Sequence, residues 1–136
     1  MRSFLAVFAS LVLYVSAIGQ TDCLFSTDIQ VTTAYWGAEI SWNIVDLDGN
    51  VLIEGGEYGD NSEYQSNACL DSTCYVLNMY DSFGDGWNGA TISVNLSELG
   101  LMIGEFTLES GNSSSVLLPW WNDCGDPVDE SVLGCT

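Results

Sequence analysis

Residues 74–96, Cys74-Tyr75-Val76-Leu77-Asn78-Met79-Tyr80-Asp81-Ser82-Phe83-Gly84-Asp85-Gly86-Trp87-Asn88-Gly89-Ala90-Thr91-Ile92-Ser93-Val94-Asn95-Leu96, decide how the rest of the chain is read. Cys74 to Tyr80 is rich in β-favouring residues. From Ala90 to Leu96 the apolar residues Ile92, Val94 and Leu96 recur every second position, with Thr91, Ser93 and Asn95 between them. That is the period of a strand with one face buried, and it predicts Ile92, Val94 and Leu96 inward and the polar three outward. The nine residues from Asp81 to Gly89 contain three Gly, two Asp and one Asn, which is turn chemistry rather than strand chemistry.

The same alternation extends outward in both directions. Ile29, Val31, Thr33 and Tyr35 form one row, and Ile40, Trp42 and Ile44 another. Asp46-Leu47-Asp48-Gly49-Asn50 reads as a hairpin turn leading to Val51 and Ile53. Gly55 to Asn67 is polar and Gly-rich and reads as a connection. Leu101–Glu109 and Ser115–Trp121 read as further strands, divided by Ser110-Gly111-Asn112. The spacing predicts an all-β chain, a single disulfide-stabilised β-sandwich, jelly-roll-like, with seven or eight short strands over residues 20–121. Residues 122–136 read as an acidic, Cys-containing extension.

At the N-terminus, Arg2 precedes an apolar run from Phe4 to Ala17 and a small-residue exit at Gly19. This is the pattern of a secretory signal peptide over residues 1–19. The run falls short of the ~20 apolar residues of a membrane span. Secretion implies an oxidising destination, which suits five cysteines: Cys23, Cys69, Cys74, Cys124 and Cys135. Without histidine or a C-x-x-C pair, zinc is disfavoured. Spacing alone does not choose the pairing. A local Cys69–Cys74 staple is expected, with Cys23 or Cys135 left over for a contact with another chain or for a third bridge to a segment outside this sequence.

Charge excludes several functions. The whole chain carries 19 Asp and Glu against one basic residue, a net charge of −18. That basic residue, Arg2, departs with the leader. Nucleic acid and anionic membrane surfaces are excluded as partners, because both require cations. Catalysis by imidazole, lysine or arginine is excluded for the same reason. Exposed carboxylates ~10 Å apart repel by only ~0.4 kcal/mol in water. Clustered or buried ones need hydrogen-bond donors or a metal, and oxygen-rich sites select calcium.

Asp81 and Asp85, four residues apart with glycines between them, can enclose such a cation together with Asn88. The loop is not an EF-hand, since Phe83 stands at the third position and Ile92 at the twelfth. The competing reading needs no ion: Asp81 and Asp85 accept backbone N–H groups in a capped arch, with Trp87 closing the sandwich edge.

Cys74-Tyr75 followed by Asp81-Ser82-Phe83-Gly84-Asp85-Gly86-Trp87-Asn88-Gly89 resembles the D-S-[FY]-G-D-G-W-N-G β-domain of secreted and surface proteins of aquatic bacteria and unicellular eukaryotes. The resemblance begins near Asp28, includes Glu39-Ile40-Ser41-Trp42 and Asp48-Gly49-Asn50, and runs through Cys69 and Cys74. It implies a non-catalytic adhesive or matrix module, often repeated.

The functional expectation is therefore a secreted, acidic, calcium-binding module. It would act in adhesion or as a subunit of an extracellular or filamentous structure, with an extracellular protein or glycan as partner and self-association possible. A carbohydrate-binding module is the alternative. A carboxylate-dependent glycoside hydrolase is a weaker one, because so small a domain leaves little room for a deep cleft. Trp87, Trp120 and Trp121 are the candidate contact residues, since aromatic rings stack on sugars. Asn95 and Asn112 begin N-x-S sequons and are candidate glycosylation sites in a eukaryotic host.

Overall fold

The computed structural model describes residues 23–70 and 74–118. The expected leader, Trp120, Trp121, Cys124, Cys135 and the acidic extension lie outside those residues. Eight strands form: β1 (Phe25–Thr32), β2 (Ile40–Asp46), β3 (Val51–Gly56), β4 (Glu63–Leu70), β5 (Tyr75–Asp81), β6 (Thr91–Leu96), β7 (Leu101–Phe106) and β8 (Ser113–Leu118). They make two four-stranded sheets, ordered β4-β1-β6-β7 and β3-β2-β5-β8. All the strand pairings are antiparallel. The all-β sandwich expected from the alternation is the fold.

Alternation places the core. Ile29 and Val31 of β1 and Ile92, Val94 and Leu96 of β6 face Ile40, Trp42 and Ile44 of β2 and Tyr75, Leu77 and Met79 of β5 in one buried cluster. The Trp42 indole N–H donates to the Tyr58 hydroxyl at 2.7 Å, so its one polar atom is satisfied in the interior. The β2–β3 turn closes on Asp46. One carboxylate oxygen accepts the N–H groups of Asp48 and Asn50, the other the Asn50 side-chain amide, and Gly49 takes a φ of +86°.

Three expectations are corrected. The stretch read as a connection over Gly55 to Asn67 contains most of β4, which pairs with β1 from Phe25↔Leu70 to Thr32↔Glu63. An edge strand needs only one buried row, and here Tyr64, Ala68 and Leu70 supply it while Glu63, Gln65 and Asn67 stay exposed. Ser93 does lie on the outer face but is buried, because β6 is an inner strand flanked by β1 and β7.

Cys69 is bonded to Cys23 rather than to Cys74. Pairing of Ser26 with Cys69 brings the start of β1 beside the end of β4, and the two cysteine Cα atoms lie 5.4 Å apart. Cys74 leads into β5 in the opposite sheet and is itself disulfide-bonded, so neither it nor Cys23 is free. A disulfide fits the oxidising compartment expected for the chain. Among the described residues, no helix is long and apolar enough to cross a membrane.

Candidate metal centre

The inward row of β5 runs Tyr75, Leu77, Met79 and then Asp81. The period that buries three apolar side chains therefore carries a carboxylate to the rim of the core, where it is only 3% exposed. Burial of a charge requires compensation. The loop supplies it to one oxygen: Asp81 Oδ2 accepts the backbone N–H groups of Gly84 at 2.7 Å, Asp85 at 2.7 Å and Gly86 at 2.9 Å. Glycine is required at this bend. Gly86 has φ +96°, and a Cβ there would lie 2.7 Å from the Leu108 carbonyl oxygen. Burial pushes the Asp81 carboxyl up, but the N–H groups of Gly86, Gly84, Asp85 and Phe83 together outweigh it and hold the carboxyl below its ordinary range.

Asp81 Oδ1 is different. It is buried and has no hydrogen-bond partner. Asp81 also belongs to an acid cluster: Glu39, Asp81 and Asp85 each bring a carboxylate oxygen to within 4.8 Å of the other two. Three like charges this close need an external cation or a proton. Glu39 shows the strain: its carboxyl is raised above the ordinary value by desolvation, then by the charges of Asp81 and Asp85. Of the expected ligands, Asp81 and Asp85 are brought together. Asn88 instead donates its side-chain amide to Asp85 Oδ1 at 3.1 Å and to the Gly86 carbonyl at 3.0 Å, and so supports a carboxylate.

Glu39 was not foreseen as a member. It ends a three-residue 3₁₀ turn, Gly37–Glu39, just before β2. Its position at the cluster depends on β2 pairing with β5, where Ile40 opposes Asp81. A rule of spacing within one loop could not have found it. The only sequence trace was its place in the Glu39-Ile40-Ser41-Trp42 step.

Trp87, expected as a contact residue, is fully buried and is corrected to a core residue. Its indole N–H donates to the Tyr80 carbonyl at 2.9 Å and its backbone N–H to the Leu108 carbonyl at 2.8 Å, so it locks the loop against the sandwich. Exposed rings flanking the acids include Trp36 and Phe83. Of the two sequon residues, Asn112 is exposed, while Asn95 is half-buried on the outer face with its amide on Ser93 Oγ.

No family model, no curated protein and no solved structure matches this chain.

Proposed function

We propose that this chain is a secreted β-sandwich module that binds calcium between Glu39, Asp81 and Asp85 and acts in extracellular adhesion or assembly. The observation that carries the reading is the Asp81 carboxylate, whose two oxygens have different fates. Oδ2 is consumed by three backbone N–H groups, while Oδ1 is buried and unpaired, on a residue whose carboxylate clusters with those of Glu39 and Asp85. The capped arch and the ion site are therefore compatible, because one oxygen serves each.

A hard divalent cation suits an all-oxygen cluster, and calcium tolerates the irregular geometry of ligands drawn from a 3₁₀ turn, a strand end and a loop. The net charge of −18 raises the local concentration of any cation and supplies no internal competitor among the described residues. Hydrolysis is disfavoured, since glycosidase carboxyl groups stand ~5–9.5 Å apart across a sugar and these oxygens lie within 4.8 Å of one another. The adhesive role rests on the resemblance to the D-S-[FY]-G-D-G-W-N-G domain and on the expected secretion.

The test is thermal melting of the purified, chelator-stripped protein with and without calcium. Stabilisation follows RT ln(1 + [L]/Kd), about 2.7 kcal/mol at one hundred times Kd. The expected result is an upward shift that Asp85→Asn reduces. Identical melting with and without millimolar calcium would leave only the hydrogen-bonded arch.

A further inference from the structure

Two of the three acids, Glu39 and Asp85, line a cavity of about 180 Å³ together with Trp36 and Phe83, and the buried Asp81 stands behind them. Its two aromatic walls are among the most exposed apolar side chains described, Trp36 at 61% and Phe83 at 73%. Neither ring belongs to the core cluster. Both are held on the same backbone that builds the acid cluster. Trp36 takes a left-handed φ of 60°, uncommon for a residue with a side chain, and its carbonyl accepts the Glu39 N–H at 3.0 Å. Phe83 sits immediately before the three N–H groups that hold Asp81.

We infer that this cavity binds one pyranose ring of a neutral saccharide, with two adjacent hydroxyls completing the calcium coordination and Trp36 or Phe83 covering the ring's C–H face. The inference rests on the calcium reading above. Calcium takes six to eight oxygens, and three carboxylates, two of them (Asp81 and Asp85) with an oxygen already accepting hydrogen bonds, leave positions open on the cavity side. Sugar hydroxyls are neutral oxygen donors, and pyranose C–H faces stack on aromatic rings.

Charge selects among oxygen ligands. Three carboxylates around a divalent ion leave a residual negative charge in a chain of net charge −18, which disfavours uronates and other anions. The volume falls below the ~300 Å³ at which pockets for larger ligands begin, which suits a single ring.

The test uses the full chain, with calcium binding measured first by calorimetry. Four methyl pyranosides, of mannose, fucose, galactose and glucose, are then offered at millimolar concentration, with methyl glucuronide as the anionic control, and followed by ligand-observed NMR. The expected result is binding of at least one neutral glycoside in calcium, its loss in EGTA, and weaker binding of the glucuronide. At least one of Phe83→Ala and Trp36→Ala should weaken glycoside binding tenfold or more while changing calcium affinity less than twofold, and that retained affinity shows the arch intact. If calcium binds and no neutral glycoside does, or if glycoside binding survives EGTA or both aromatic substitutions, the inference is overturned and the calcium site stands. If calcium itself does not bind, the calorimetry shows that the underlying reading has failed, and the saccharide proposal falls with it.

Discussion

The backbone carbonyl of Glu39 accepts the N–H of Ser82 at 3.0 Å, one step beyond the Ile40–Asp81 pair at the end of the β2–β5 ladder. This bond ties the segment before β2 to the loop after β5. It also brings Glu39 alongside Asp81, so the acid cluster is a consequence of strand register rather than of any one loop.

Asp81 is expected to hold the loop even without an ion. In Asp81→Ala three N–H groups lose their acceptor; the Gly86 bond is buried and the other two part-buried, and a buried donor left unsatisfied costs about 1–3 kcal/mol. Chemical denaturation in chelator should show a loss of about 1–3 kcal/mol. Undiminished stability would mean that the glycine-rich bend holds its own shape.

Glu39 is expected to behave in the opposite way in the absence of metal. Its charge is crowded by Asp81 and Asp85, so Glu39→Gln should raise the melting temperature of the chelator-treated protein and weaken calcium binding. Both changes are readable in one pair of melts. A variant that lowers the ion-free melting temperature would contradict the repulsion inferred here.

The two acids give pH dependences of opposite sign. Asp81 is depressed below its ordinary value of 3.8, so its stabilising contribution is complete above that value and is lost as pH falls through the depressed one. Glu39 is raised above 4.5, so the folded state holds its proton longer than the unfolded state, and stability is lost as pH rises from 4.5 through the raised value. In chelator, Asp81→Asn should flatten the acid limb below pH 4, and Glu39→Gln the decline just above it. Unchanged limbs in both variants would remove these residues from the pH response.

Gly86→Ala tests the close approach beneath the loop. The added methyl would meet the Leu108 carbonyl oxygen at 2.7 Å and the Glu109 carbonyl at 2.8 Å, both backbone atoms, at a φ of +96°. Strain and steric conflict together should cost roughly 1–3 kcal/mol or more. Gly111→Ala is the control: it also has a positive φ of +86° but meets nothing within 4 Å, so it should cost less. Equal losses would place the whole effect in the backbone angle.

Cys23→Ser should destabilise the protein by up to about 4 kcal/mol, the loop-closure value for a separation of 46 residues. Peptide mapping of the unreduced protein should recover Cys23 joined to Cys69. A Cys69–Cys74 peptide in its place would refute the β1–β4 register.

Alternation was enough to place Ile29, Val31, Ile40, Trp42, Ile92, Val94 and Leu96 inward, because side-chain direction in a strand is a property of that strand alone. The structure sets Asp81 at the end of the inward row of β5, and the glycines at 84 and 86 had marked the bend that satisfies it. A weakly apolar edge strand left no such trace, which is why β4 was read as a connection.

From its own residues, then, the sequence determined a two-faced β chain, its excess of carboxylates and the loop that grips Asp81. Tertiary structure alone decided that Cys23 meets Cys69, that Glu39 joins Asp81 and Asp85, that Trp87 turns inward, and that Trp36 and Phe83 share one cavity. The reason is physical. Period and turn chemistry act within a few residues, whereas the choice of neighbouring strand and register is made by burying both sheets' apolar rows together, and that choice brings distant residues into contact.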